Sequence, residues 1–122
     1  DDTLPSRVRR WVRGRALDAI KPRAERMGQD LGRAPARITM RDTRSRWGSC
    51  SRAGHLNFSW RLVMAPENVL DYVVAHEVAH LREMRHSPGF WALVDTSCHD
   101  VTDARGWRRK HGAELHRYGR DG

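Results

Sequence analysis

The residues most suited to chemistry in this 122-residue sequence are His76, Glu77 and His80, which form the pattern His-Glu-Val-Ala-His. Histidines four positions apart project from one face of an α-helix, so both imidazoles can bind one metal ion. Glu77 follows the first histidine, where a carboxylate can hold a water molecule beside the metal and take its proton. The surrounding positions are apolar, and buried polar groups are costly unless they are paired or bind a metal. The spacing therefore predicts a Zn²⁺ site with Glu77 as general base.

A catalytic zinc ion usually has three protein ligands and keeps one position for water. Two residues can supply the third ligand here, His86 and Glu83. Glu83 lies one turn beyond His80 and would share its face if the helix continued. His86 is favoured, because a neutral imidazole suits zinc and Pro88 indicates that the helix ends nearby. The residues alone leave both alternatives open.

The helix that carries this pattern is predicted to begin at Pro66 and Glu67 and to reach Leu81. It is apolar on nearly every side, which predicts a fully buried helix. Two further helices are expected, one over 90–98 and a basic one over 101–111.

An earlier amphipathic helix is predicted from Ser6 to Met27, because apolar residues recur there at steps of three and four. Ser6 is the expected N-cap and Gly28 the expected end. Pro22 should kink this helix or divide it into two pieces.

Between these helices the apolar period changes from that of a helix to that of a strand. Ile38 and Met40 alternate with polar residues and predict a short strand. A clearer alternation follows at Leu56, Phe58 and Trp60. With the segment 46–50 and turn residues at Ala53-Gly54, the pattern predicts a small antiparallel sheet of about three strands with a hairpin at that turn.

The formal net charge is +8, which makes nucleic acid a partner to consider. The arginines are spread from Arg7 to Arg120 instead of forming one block, so a solvated basic surface is the favoured interpretation.

No apolar run approaches the ~18 residues of a membrane span, and no signal peptide opens the sequence. The two cysteines, Cys50 and Cys98, form neither a disulfide framework nor a CxxC metal site. They are interpreted as buried thiols in a reducing compartment, which predicts a cytoplasmic protein. Length and the absence of a linker predict a single domain over 1–122, which may be read as a piece of a longer chain.

Several motifs together closely resemble the YgjP-like metallopeptidase family, a minimal zincin group related to SprT-like and minigluzincin proteins. The resemblance rests on Arg46-Trp47-Gly48-Ser49-Cys50, Trp60-Arg61-Leu62, the segment from Asp71 to Leu81, and His86-Ser87-Pro88-Gly89-Phe90-Trp91. It implies that His76, His80 and His86 are the zinc ligands and that Glu77 is the catalytic glutamate. Arg85 departs from the family, which commonly has asparagine before the third histidine.

The sequence thus predicts an α+β fold in which a small antiparallel sheet packs against helices and the buried metal-binding helix is central, as in zincins. The predicted function is zinc-dependent hydrolysis of peptide or protein substrates. The alternatives are a DNA-associated SprT-like protease and a non-catalytic zinc-binding domain. Arg46 and Ser49 belong to the family motif, but the sequence assigns them no role, and Trp47, Trp60 and Trp91 are expected to pack in the core or the cleft wall.

Overall fold

The computed structural model describes residues 5–43 and 46–98. They form an α+β fold, with three helices and a three-stranded sheet. The elements in chain order are α1 (Ser6–Leu31), β1 (Arg37–Arg41), β2 (Gly48–Cys50), β3 (His55–Ser59), a 3₁₀ helix (Trp60–Met64), α2 (Glu67–Ala79) and α3 (Pro88–Ser97). The helix predicted over 101–111 lies outside the described residues.

Helix α1 is longer than the predicted span from Ser6 to Met27, and it ends at a different glycine. Gly28, the predicted end, lies inside the helix, and a Cβ there would stand 2.4 Å from the carbonyl oxygen of Arg33. Gly32 ends the helix instead, with a left-handed backbone at φ 75°. Glycine adopts that conformation without steric cost. The buried Leu31 lies four positions after Met27 and continues the apolar period, so the period itself extends past Gly28 to the helix end at Gly32.

Pro22 does not divide α1, so the prediction of two pieces is wrong. The proline is exposed, while Ile20 and Ala24 on either side of it are fully buried. Packing on both sides holds the helix together across the missing N–H. Ser6 is not the N-cap, since Pro5 takes that position without a side-chain hydrogen bond.

The sheet is mixed, so the prediction of an antiparallel sheet is only partly right. Its strand order is β1-β3-β2. β2 pairs with β3 in antiparallel orientation, through the predicted hairpin, whereas β1 pairs with β3 in parallel. Alternating apolar residues face the core whether a strand runs parallel or antiparallel to its neighbour, so the pattern does not predict strand direction.

The core lies between the inner face of the sheet and the helices. Leu56 and Phe58 of β3 point into this core and are fully buried. Trp60 is also buried, as is Trp47, but Trp60 begins the 3₁₀ helix instead of extending the strand. Helix α2 is buried along most of its length, as predicted.

The loop after β1 is held by a buried charge. Arg61, with a side chain only 4% exposed, donates a hydrogen bond to the carboxylate of Asp42. The same guanidinium lies 4.3 Å from the centre of the Trp60 ring. This pair fixes the end of β1 to the 3₁₀ helix that follows β3.

Candidate metal centre

Helix α2 presents His76, Glu77 and His80 on its last turn. All three are buried, with exposures of 3%, 1% and 6%. The turn is positioned by the apolar residues before it, because they bury α2 between α1 and the sheet. Three polar side chains thus lie in the core, where only partners or a metal can offset their desolvation.

His86 reaches the same place because the chain reverses after α2. The helix ends at Ala79 and His80 is its C-cap residue. The amide of Glu83 then donates to the carbonyl of Ala79 at 3.0 Å, closing one further turn. Helix α3 begins soon after, where the Ser87 hydroxyl accepts a hydrogen bond from the amide of Phe90 at 3.2 Å. His86 lies between these two fixed points.

The three imidazoles form one compact cluster. Their ring centres are 5.0 Å apart for His76 and His80, 5.1 Å for His76 and His86, and 4.9 Å for His80 and His86. One nitrogen of each ring lies within 4.8 Å of the others. Imidazole nitrogens around a tetrahedral zinc ion stand about 3.3 Å apart. Small side-chain rotations would therefore bring these three donors onto a single ion.

Glu83, the alternative third ligand, is turned away from this role. Its carboxylate accepts a hydrogen bond from the amide of Arg85 at 3.2 Å. Within the described residues, the cluster that could hold a metal consists of His76, His80 and His86. Glu83 lies in the turn that follows α2, and there its carboxylate bonds to the Arg85 amide instead of joining the histidines.

The backbone of Glu83 instead fixes the tautomer of His80. Nδ1 of His80 lies 3.0 Å from the Glu83 carbonyl oxygen, and because a carbonyl only accepts, this nitrogen carries the proton. Burial lowers the pKa of His80, although this hydrogen bond and the charge of Glu77 act in the opposite direction. The ring is therefore neutral, with its Nε2 lone pair available to a metal.

Helix α3 supplies an aromatic wall behind the histidines. The buried Phe90 ring lies 4.5 Å from the centre of His80 and 5.0 Å from that of His76. Trp91 stacks on His86 at 5.8 Å with an interplanar angle of 25°. These rings restrict the imidazole orientations, which preorganises the cluster. Trp91 is half-buried and packs beside the histidines.

Strand β2 closes the other side of Glu77. A Cβ on Gly48 would stand 3.0 Å from Cγ of Glu77, so the glycine allows strand and helix to approach this closely. Cys50, on the same strand, is a free thiol. Burial and the negative charge of Glu77 raise the pKa of that thiol to about 11, which keeps it protonated and unreactive near neutral pH.

Three of these features were not predicted from sequence. The sequence gives Phe90 and Gly48 no role beyond their place in the family motifs, and it does not indicate a role for the Glu83 carbonyl. The serine-proline pair at Ser87 signals a helix start, which would have placed Phe90 on the first turn facing the histidines. The close approach of Gly48 has no local signal, because it depends on the packing of two distant segments.

A family model for the YgjP-like metallopeptidase domain matches residues 1–111. The chain therefore belongs to the YgjP-like metallopeptidase family. The expected α+β fold agrees with a second comparison. The crystal structure of the metallopeptidase zymogen abylysin from Pyrococcus abyssi is similar, with a TM-score of 0.66 and 20% sequence identity. That similarity covers 83% of this chain and 99% of the abylysin chain, and it concerns the fold.

A comparison with curated proteins gave no match. In the described part of the chain, no helix combines the length and hydropathy that crossing a bilayer requires.

Proposed function

We propose that this metallopeptidase-family chain hydrolyses peptide bonds with a zinc ion held by His76, His80 and His86. The observation that carries the proposal is the cluster of three imidazole donors within 4.8 Å of one another, beside the buried carboxylate of Glu77. Three imidazole nitrogen donors suit zinc better than magnesium or calcium, which prefer oxygen ligands.

The number of donors favours a catalytic over a structural site. In the described residues the cluster contains three candidate ligands, all of them histidines. Structural zinc sites are closed by four protein ligands, whereas catalytic sites leave a position for water or substrate. This is the argument against a non-catalytic zinc-binding domain.

Glu77 is the proposed general base. Bound zinc would supply Lewis-acid chemistry, lowering the pKa of water and polarising the scissile carbonyl. Glu77 accepts the proton of the attacking water and delivers it to the departing amine. Its carboxylate is 1% exposed, packed between β2 and the cluster. Such packing restricts the Glu77 side chain to few rotamers, so its carboxylate keeps a fixed place beside the histidines.

Strand β2 offers a place for an extended substrate. It is an edge strand, paired only with β3 in the described sheet, and its Gly48 adjoins Glu77. A peptide that adds to this edge gains backbone hydrogen bonds without a sequence requirement. Its scissile bond would then lie beside Glu77 and the histidines.

The decisive experiment compares the cleavage of a proteome-derived peptide library by zinc-loaded wild type, Glu77→Gln and Glu67→Gln. Glu67 lies at the far end of α2 with a side chain 83% exposed, so it is a matched control. The proposal expects cleavage by wild type and Glu67→Gln, and a loss of at least about 10²-fold in Glu77→Gln with zinc content unchanged. Equal activity of Glu77→Gln with bound zinc would refute the role of Glu77.

A second candidate, association with nucleic acid, is favoured by the first half of α1. Trp11 is 65% exposed, and the Arg15 guanidinium lies 5.8 Å from its ring. Further exposed arginines on this segment are Arg7, Arg10 and Arg13. A solvent-facing tryptophan among arginines can stack on a base while the arginines contact phosphates. Binding to single-stranded DNA that weakens with salt and is lost in Trp11→Ala would support this candidate, and salt-independent or absent binding would reject it.

A further inference from the structure

A small pocket on the outer face of the sheet lies beside β2. Its volume is about 180 Å³, which is below the 300–1,000 Å³ of a site for a drug-sized molecule. Space of this size suits a single side chain or chain terminus. Its polar lining consists of Arg41, Thr43, Arg46, Ser49 and Asn57.

The two arginines of this pocket carry positive charge that the described residues do not neutralise. Arg41 donates from Nε to Oδ1 of Asn57 at 3.2 Å, and an amide oxygen carries no net charge. The Arg46 guanidinium has no hydrogen bond or ion pair among the described residues. The adjacent acid, Asp42, is engaged by the buried Arg61. Two guanidinium groups therefore line one pocket, and the described residues place no anion between them.

The segment that carries Arg46 is fixed by hydrogen bonds. The Thr43 hydroxyl donates to the Arg46 carbonyl at 3.1 Å. The carbonyl of Thr43 in turn accepts from the Ser59 hydroxyl at 3.3 Å. The Arg46 backbone is thus held against the sheet, which places its side chain at the pocket.

The pocket adjoins the proposed active site through β2. Gly48 lines the pocket and also packs against Glu77 on the other side. Ser49 pairs with Asn57 in the register of β2 and β3. Asn57 lies between the buried Leu56 and Phe58, so Asn57 and Ser49 face outward. A peptide added to β2 would turn alternate side chains to this same outer face.

We propose that this pocket binds a carboxylate of the substrate, so that the enzyme prefers acidic peptides cleaved near that group. Arg46 is the principal specificity-determining residue, because its planar guanidinium can bind a carboxylate through two parallel hydrogen bonds. Arg41 adds a second positive charge, and Ser49 adds a hydroxyl donor. The carboxylate can come from an aspartate or glutamate side chain or from a peptide C-terminus. The inference rests on the proposed peptidase function.

The first test measures binding without cleavage. Zinc-loaded, ¹⁵N-labelled full chain is titrated with N-acetyl-glutamate amide, with the neutral N-acetyl-glutamine amide, and with N-acetyl-alanine, whose only carboxylate is terminal. We expect at least one acid, and not the glutamine probe, to shift the Ser49 and Asn57 amides. The acid that binds more tightly shows whether the pocket prefers a side-chain or a C-terminal carboxylate.

Variants distinguish a specific carboxylate-binding site from a general effect of positive surface charge. Arg46→Ala should lower the affinity for the acid probe by about tenfold or more, as expected for the loss of a charge-assisted hydrogen-bonded pair. Arg46→Lys should recover only part of this affinity. Arg52 is an exposed arginine on the β2–β3 turn, outside the pocket, so Arg52→Ala should bind as wild type does. Equal binding by Arg46→Ala and wild type, equal shifts with the glutamine probe, or an equal loss in Arg52→Ala would each overturn the proposal.

The second test uses cleavage and keeps the two proposals distinct. Wild type should cut peptides with an acidic residue at one fixed distance from the scissile bond, and Arg46→Ala should lose that preference through a higher KM with kcat unchanged. Cleavage without any acidic preference in wild type would overturn the carboxylate pocket and leave the peptidase intact. Absence of all cleavage would count against the peptidase, and the binding titration would still decide the pocket.

Discussion

The contact between Gly48 and Glu77 makes the substitution Gly48→Ala a sharp test of how β2 positions the carboxylate. The new Cβ would stand 3.0 Å from Cγ of Glu77, 3.2 Å from the carbonyl oxygen of Asn57 and 3.2 Å from Cδ1 of Phe58. Ordinary van der Waals contacts begin several tenths of an ångström further out. The Asn57 oxygen belongs to the strand backbone and the Phe58 ring is fully buried, so Glu77 or the strand must move.

The magnitude follows from two opposing effects. Overpacking of a well-packed core costs about 1–3 kcal/mol. Replacing glycine by alanine reduces the entropy of the unfolded chain and returns about 0.4–1 kcal/mol where the backbone is compatible. Gly48 lies in a strand without a positive φ, so the backbone accepts alanine and the second effect applies. The net loss in the free energy of unfolding should be about 1–2 kcal/mol.

Urea denaturation measures this loss, and peptide cleavage measures its consequence at Glu77. We expect Gly48→Ala to retain zinc, because it does not touch the histidines, and to cleave more slowly. Gly14 is the matched control, since nothing lies within 4 Å of a Cβ built there. In α1, Gly14→Ala should stabilise the chain by about 0.5–1 kcal/mol. Wild-type stability and wild-type activity in Gly48→Ala would refute the close approach of β2 to the proposed active site.

Three further predictions concern the loop, the thiol and the metal. Asp42→Asn leaves Arg61, whose side chain is 4% exposed, without its anion. The free energy of unfolding measured in urea should fall by about 2–3 kcal/mol, less than for a fully buried pair because Asp42 is partly exposed. A change below about 0.5 kcal/mol would contradict the pairing. With its pKa raised to about 11, Cys50 should alkylate slowly at pH 8, and the rate should rise about tenfold per pH unit as the thiolate forms. A rate that levels off near pH 9 would show an ordinary thiol. Removing zinc with a chelator should lower Tm, since metal at 100 times Kd adds about 2.7 kcal/mol to the free energy of unfolding. In His86→Ala the chelator should shift Tm much less. An unchanged Tm in wild type would count against a bound metal.

The sequence was most informative where the chemistry is local. His76, Glu77 and His80 lie on one helical turn, so period and burial cost alone brought them together. His86 required the chain to reverse after α2, and spacing could not choose between it and Glu83. The family resemblance favoured His86, which the structure places beside the other two histidines.

The remaining features depend on contacts between distant segments. The alternation at Ile38 and Met40 is the same for a strand running in either direction, so the parallel pairing of β1 with β3 could not be read from it. The pocket brings together Arg41, Arg46 and Asn57 only through the register of the sheet. No local pattern marks such a juxtaposition, because it arises from pairing across strands.

X-ray absorption at the zinc edge of the zinc-loaded chain tests the central claim most directly. The account predicts three imidazole nitrogens at about 2.0–2.1 Å and one further oxygen ligand, with one imidazole lost in His86→Ala and no change in Glu83→Gln. A sulfur ligand at about 2.3 Å, a fourth protein ligand, or a spectrum that His86→Ala leaves unchanged would contradict it.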